Sequence, residues 1–125
     1  MQGLEGLRVL ELGDRVSAAY AAKVLADIGA DVVKLEEPGG DRTRRRGPFP
    51  GGIPHPEKSG LFLYLNTNKR SVVLDPRTAA DRDRFRELVA WADVLVHAGM
   101  FPTIEGDPIF TPSRLRKSTG RMQIR

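Results

Sequence analysis

Leu7-Arg8-Val9-Leu10-Glu11-Leu12 is a short, mostly apolar run that stops at Gly13-Asp14, the pattern of a buried strand ending in a turn. Ser17 is placed to cap a helix over 18–28, because its hydroxyl can accept from the free amides of the first turn, and Gly29 suits the left-handed position past the helix end. Ala21, Val24, Leu25 and Ile28 recur at i, i+3, i+4 and i+7, which predicts one apolar face. Asp31–Glu36 reads as a second strand, and strand, helix, strand with short links implies a right-handed parallel crossover. Further on, the pattern predicts a short apolar helix over 60–65, a strand over 71–74, a helix over 78–92 with Phe85, Leu88, Val89 and Ala92 on one face, and a strand over 94–97. The alternation predicts an α/β fold on a mostly parallel sheet with crossover helices.

Two segments break this rhythm. Between Glu37 and Ser59, ten prolines and glycines leave little room for helix or ladder hydrogen bonds, so a flexible, structureless loop is expected there. After His97 no period is sustained, and the chain divides into residues 1–97 and a divergent basic tail, 98–125, expected to be disordered. Charge sharpens the division: of the formal net charge of +4 over 125 residues, +3 lies in that tail. A nucleic-acid partner is nevertheless disfavoured, since the tail lacks interleaved aromatics and a recognisable helix motif.

A composition of 40% hydrophobic and 29% charged residues fits one globular domain and excludes a fibrous chain. The absence of cysteine excludes a disulfide scaffold, a thiolate metal site and a thiol nucleophile. No charged leader precedes an apolar stretch, and no apolar run approaches the roughly 18 residues that cross a bilayer, so a soluble cytoplasmic chain without membrane contact is expected.

In an open parallel sheet, ligands bind beyond the carboxyl ends of the strands, where helix starts offer free amides to anions. The first such place is 13–18, but it holds a single glycine where a dinucleotide fingerprint needs three, which disfavours an ordinary NAD site even though Glu36 or Glu37 stands where a ribose-binding acid would. No phosphate-cradling Gly-Lys-Ser/Thr loop occurs. His55 and His97, 42 residues apart, do not make a metal site, and Ser17 and Ser71 lack an evident base. The cluster Arg42, Arg44, Arg45 and Arg46 reads either as a phosphate clamp or as a solvated face. Asn66-Thr67-Asn68-Lys69-Arg70-Ser71 reads as a turn that could contact a polar ligand.

Five blocks, in order, resemble the amino-terminal part of the family III CoA-transferases, which include formyl-CoA and carnitine-CoA transferases and alpha-methylacyl-CoA racemase. They are LEGLRVLELG at 4–13, LADIGADVVKLE at 25–36, PGGDRTR at 38–44, LNTNKRSVVLD at 65–75 and ADVLVH at 92–97. The resemblance implies a Rossmann-like large domain, here incomplete, an interlocked homodimer, and transfer of CoA between carboxylic acids through an aspartyl anhydride and thioester. CoA or acyl-CoA is then a substrate, with a carboxylic acid as acceptor and no metal. Carried over by position, CoA contacts fall on Val16 and Ser17 and on Leu74, Asp75, Pro76 and Arg77, less directly on 98–100, with Lys69 and Arg70 steering the anion.

The departures from the family pattern are specific. Glu37 stands where formyl-CoA transferases carry an arginine, Ala18-Ala19 replaces Gly-Pro, and the nucleophilic aspartate has no counterpart, so no catalytic residue is assigned. Family members are about three times as long, and a truncated chain is the expectation. A noncatalytic CoA- or nucleotide-binding module is the alternative reading.

Overall fold

The computed structural model describes residues 3–13, 16–98 and 122–124. Its order is β1 (Arg8–Leu12), α1 (Val16–Asp27), β2 (Asp31–Glu36), α2 (Gly60–Asn66), β3 (Arg70–Val73), α3 (Ala79–Trp91), β4 (Val94–His97) and β5 (Met122–Ile124). The strands form one sheet in the order β3-β2-β1-β4-β5, parallel at every pairing. The α/β architecture is therefore the one that the alternating pattern predicts, with element ends within two residues. Strand β5 is an exception. It lies inside the segment read as a tail without elements, where three residues carry too little pattern to announce an edge strand.

Helices cover both faces. On one, Phe85, Val89 and Ala92 of α3 pack with Leu10, Leu12, Val33, Leu35 and Leu95, and Leu88 joins them partly buried. This is the face predicted for that helix. Thr78 caps it by accepting the Asp81 amide.

On the other face the expectation for α1 holds for Ala21 and Leu25, which pack partly buried against the core, and fails for Val24 and Ile28. The buried residues of α1 are Ala18, Ala19, Ala22 and Ala26, packed with Val9, Val32 and Val96, whereas Val24 and Ile28 are 44% and 46% exposed. Two helical stripes are available in this segment, one bulky and one of alanine. The sheet beneath α1 already carries the buried side chains of Glu11 and Lys34, so the stripe that adds least volume faces inward.

The outward stripe is Val16, Tyr20, Val24 and Ile28, and the neighbouring α2 adds exposed Leu63 and Tyr64. An apolar surface of this kind favours association. The isolated chain is expected to self-associate, and the double substitution V24Q/L63Q should reduce its weight-average mass in sedimentation; a wild-type chain that sediments as a monomer at all concentrations would contradict this.

Candidate functional site at the carboxyl edge of the sheet

The parallel strands bring the turn after β1, the end of β2, the segment after β3 and the end of β4 to one edge. Gly13, which leaves β1 with φ +117°, needs to be glycine: a Cβ there would stand 2.8 Å from the carbonyl oxygen of Ala98, at the end of β4. This close approach narrows the edge between β1 and β4. Val16 and Ser17, both exposed, open α1 beside it. Beyond β3, Leu74 is buried and its amide donates to the Glu36 carbonyl, tying this segment to the end of β2. Asp75 and Pro76 are half-buried, and Arg77 is exposed, its guanidinium paired with both oxygens of Asp75 at 2.8 Å. That pairing raises the Arg77 pKa and lowers that of Asp75. Six of the expected contact positions thus lie along one edge.

The other two do not. Arg70 begins β3 at the opposite, amino edge, where its guanidinium grips Asp31. Lys69 points inward, with its side chain 2% exposed. Lys69 spends its charge on Glu11 inside the fold, while Arg70, exposed and paired with the exposed Asp31, stands at the edge opposite the other six positions. Across the block 66–71 every side chain has a partner within the chain: Asn66 and Thr67 donate to carbonyls of α2, Asn68 to Asp27, and Ser71 to Glu36. The block joins α2 to β3 and ties both to α1 and β2.

Lys69 belongs to a buried ion cluster between the sheet and α1. The Lys34 ammonium lies 2.9 Å from Glu11 Oε1, 2.7 Å from Asp41 Oδ2 and 3.3 Å from the Gly13 carbonyl. The Lys69 ammonium lies 2.8 Å from Glu11 Oε2, 2.7 Å from the Ala19 carbonyl and 2.9 Å from Asn66 Oδ1. Of these six oxygens, Glu11 Oε1, the two carbonyls and Asn66 Oδ1 accept hydrogen bonds, while Asp41 Oδ2 and Glu11 Oε2 are held as close ion pairs. Burial alone would lower the Lys34 pKa, but Glu11 and Asp41 outweigh it and the pKa is raised; at Lys69 burial prevails and the pKa is lowered.

A second cluster organises the segment read as structureless. Glu36, with its side chain 1% exposed, accepts from the Arg44 guanidinium at 2.7 and 2.8 Å, from the Asp41 amide at 2.8 Å and from the Ser71 hydroxyl at 2.7 Å. Burial alone would raise its pKa, yet these donors hold it at about 2. Asp41 caps a 3₁₀ turn over Arg42–Arg45, and the Arg44 guanidinium also lies 3.7 Å from the centre of the Phe62 ring. Gly40 is required by the same clamp, since a Cβ there would stand 2.9 Å from Arg44 Cδ and 3.1 Å from Glu36 Oε2.

Two expectations are corrected by this cluster. The loop is packed where it leaves β2, because a buried carboxylate must recruit donors and the nearest are in the loop. Glu36 is for the same reason enclosed and cannot hold a ribose. Of the arginine cluster, Arg44 is internal, while Arg42, Arg45 and Arg46 are exposed. Sequence reasoning did not connect Glu11, Lys34, Glu36 and Asp41; the one available signal was charged residues inside otherwise apolar strands. Among the described residues, no group of three or more His, Cys, Asp or Glu could hold a metal ion, and no helix is long and apolar enough to cross a membrane. Residues 14, 15, 99 and 100 lie outside the described residues.

Comparison with known proteins places the chain in a family. The family model for CoA-transferase family III matches residues 4–105, eight residues past the boundary drawn from the sequence pattern. A succinyl-CoA:mesaconate CoA-transferase of Haloarcula hispanica is 43% identical over 105 residues, covering 84% of this chain and 26% of the relative. An acetyl-CoA:oxalate CoA-transferase of Acetobacter aceti is 38% identical over 92 residues, covering 73% of this chain and 22% of the relative. The crystal structure of a CAIB/BAIF family protein from Brucella suis superposes with a TM-score of 0.82 at 31% identity, over 98% of this chain and 32% of that one. The chain spans about a quarter of the length of the curated relatives it matches. On the strength of a family match over most of its residues, the chain belongs to CoA-transferase family III.

Proposed function

We propose that this chain carries a CoA-binding surface of a family III CoA-transferase, and that the reaction it serves moves CoA between carboxylic acids. The observation that carries the reading is the placement of the α1 start and the 74–77 segment on one carboxyl edge, in a chain of this family. The first-turn amides at Val16 and Ser17 suit a phosphate, and Arg77 offers an exposed guanidinium beyond the end of β3, two strands away on the same edge. Glu37 lies near enough to Arg77 to raise its pKa, so this corner of the edge is not uniformly basic. Acyl-CoA and a carboxylic acid are the substrates, homodimeric assembly is the quaternary state, and the cytoplasm is the compartment. No side chain of this chain is assigned the covalent chemistry, so the purified chain alone should bind CoA without transferring it.

Titration calorimetry with CoA and with dephospho-CoA tests the site. R77A is expected to weaken CoA binding by about 1.5–3 kcal/mol, the size of a charge-assisted hydrogen bond. R44A should act differently from what a mobile loop would imply: it strips Glu36 of its main partner, lowering stability more than affinity. Undetectable binding of both ligands at millimolar concentration by a folded chain would refute the reading, and thioester transfer by the chain alone would refute the assignment of no nucleophile.

A further inference from the structure

Of the six positions on the carboxyl edge, Asp75 is the one whose charge repels a phosphate, and its placement is fixed. Its amide donates to Asp81 Oδ2 at 2.9 Å, and its carbonyl accepts from the amide and hydroxyl of Thr78 at 3.1 and 3.2 Å. Asp75 Oδ1 accepts from the Arg77 amide at 3.0 Å and from Arg77 Nε at 2.8 Å, and Oδ2 accepts from Nη2 at 2.8 Å. The main chain of Arg77 is held as well, since Arg82, near the start of α3, donates from Nη1 to the carbonyls of Pro76 and Arg77. The Asp75 side chain is 22% exposed and that of Arg77 72%. The guanidinium is thus the member of the pair that can swing away, on a turn that stays in place.

A ligand therefore reaches Arg77 by competition with Asp75. A carboxylate offers the guanidinium the same two oxygens and single charge that Asp75 already supplies, and Asp75 supplies them from two residues away at high effective concentration. A phosphate monoester brings three oxygens and a charge of about −1.5 to −2 near pH 7. We propose that Asp75 is a specificity-determining residue, which masks Arg77 against the carboxylic acid substrate and yields it to the monoester phosphate of CoA. The identity of that phosphate rests on the proposed CoA site, whereas the masking of Arg77 rests on the pair itself.

The test compares the full chain with D75N, which keeps an Oδ1 acceptor for the Arg77 amide but removes the charge, with R77A and with D75N/R77A. Calorimetry reads the affinity for CoA and dephospho-CoA. The Arg77 Nε resonance reads the guanidinium directly, with succinate as the carboxylate probe and chloride at matched ionic strength as its control. D75N is expected to bind CoA about two- to fivefold more tightly, the worth of an exposed ion pair, and to gain less for dephospho-CoA. Succinate should shift the Nε resonance in D75N and leave it in place in the wild type. The proposal is overturned by a D75N that binds CoA no more tightly, by an equal gain for dephospho-CoA, or by a gain that persists in D75N/R77A relative to R77A. A succinate shift that is absent from D75N, or as large in the wild type, overturns it too. If D75N does not fold, D75S decides on the same terms. If the wild type binds no CoA, the proposed site fails, and the succinate titration alone decides whether Asp75 masks Arg77.

Discussion

Replacing Lys34 by methionine is expected to cost about 3–5 kcal/mol, the usual penalty for removing one partner of a buried ion pair. Methionine fills nearly the same volume, so the loss is electrostatic. Glu11 keeps Lys69, but Asp41, with its side chain 1% exposed, loses the ammonium 2.7 Å away and retains only the neutral donors of Thr43. Against a total stability of about 5–15 kcal/mol for a domain of ordinary size, such a loss brings the chain close to unfolding. The compensating change distinguishes this account from a packing defect. K34M/D41N removes the unpaired charge together with its partner and should recover most of the loss in urea denaturation, because replacing both members of a buried pair is often nearly neutral. Equal instability of the single and double variants would show that the cost lies in packing.

The second large effect is expected on acidification. Glu36 has a pKa of about 2 in the fold against an ordinary 4.5. A carboxylate with a depressed folded pKa contributes stability that is fully present above the unfolded value and is lost as pH falls towards the folded one. For Glu36 the window runs from about pH 4.5 down to about 2, and the contribution at neutral pH is about 3 kcal/mol. Glutamine at this position can accept from Arg44 but carries no charge, so E36Q should be destabilised at pH 7 by about that amount and should lose less on acidification. Stability measured at pH 7, 4 and 2.5 for both chains isolates the contribution, since the other carboxylates are common to them. Parallel profiles would mean that Glu36 is not the group whose protonation loosens the fold.

Both effects arise from buried ion pairs that the sequence pattern does not announce, and the reason is physical. Lys34 and Glu36 lie in a strand whose neighbours are valine and leucine, and in isolation they read as the exposed positions of an alternating strand. Their partners are distant in the chain: Glu11 is 23 residues from Lys34, and Ser71 is 35 from Glu36. Only the parallel pairing of β1 with β2 and of β2 with β3 places Glu11 opposite Lys34 and Ser71 opposite Lys34, on the face where Lys69 and Asp41 can reach them. A charge's partner cannot be read locally when the sheet register supplies it.

The sequence by itself determined the element order through β4, the parallel sheet, the inward face of α3 and the family, because these depend on short-range periodicity, turn residues and ordered blocks that survive without knowledge of contacts. Tertiary structure decided the rest. It chose the alanine stripe of α1 over the bulky one, since both have helical spacing and only the occupancy of the facing sheet discriminates them. It packed the start of the proline- and glycine-rich loop, since a buried Glu36 must find donors. It also parted Lys69 from the exposed edge that Arg77 occupies, because a residue before β3 on this face points beneath α1, where a carbonyl and a carboxylate await its protons.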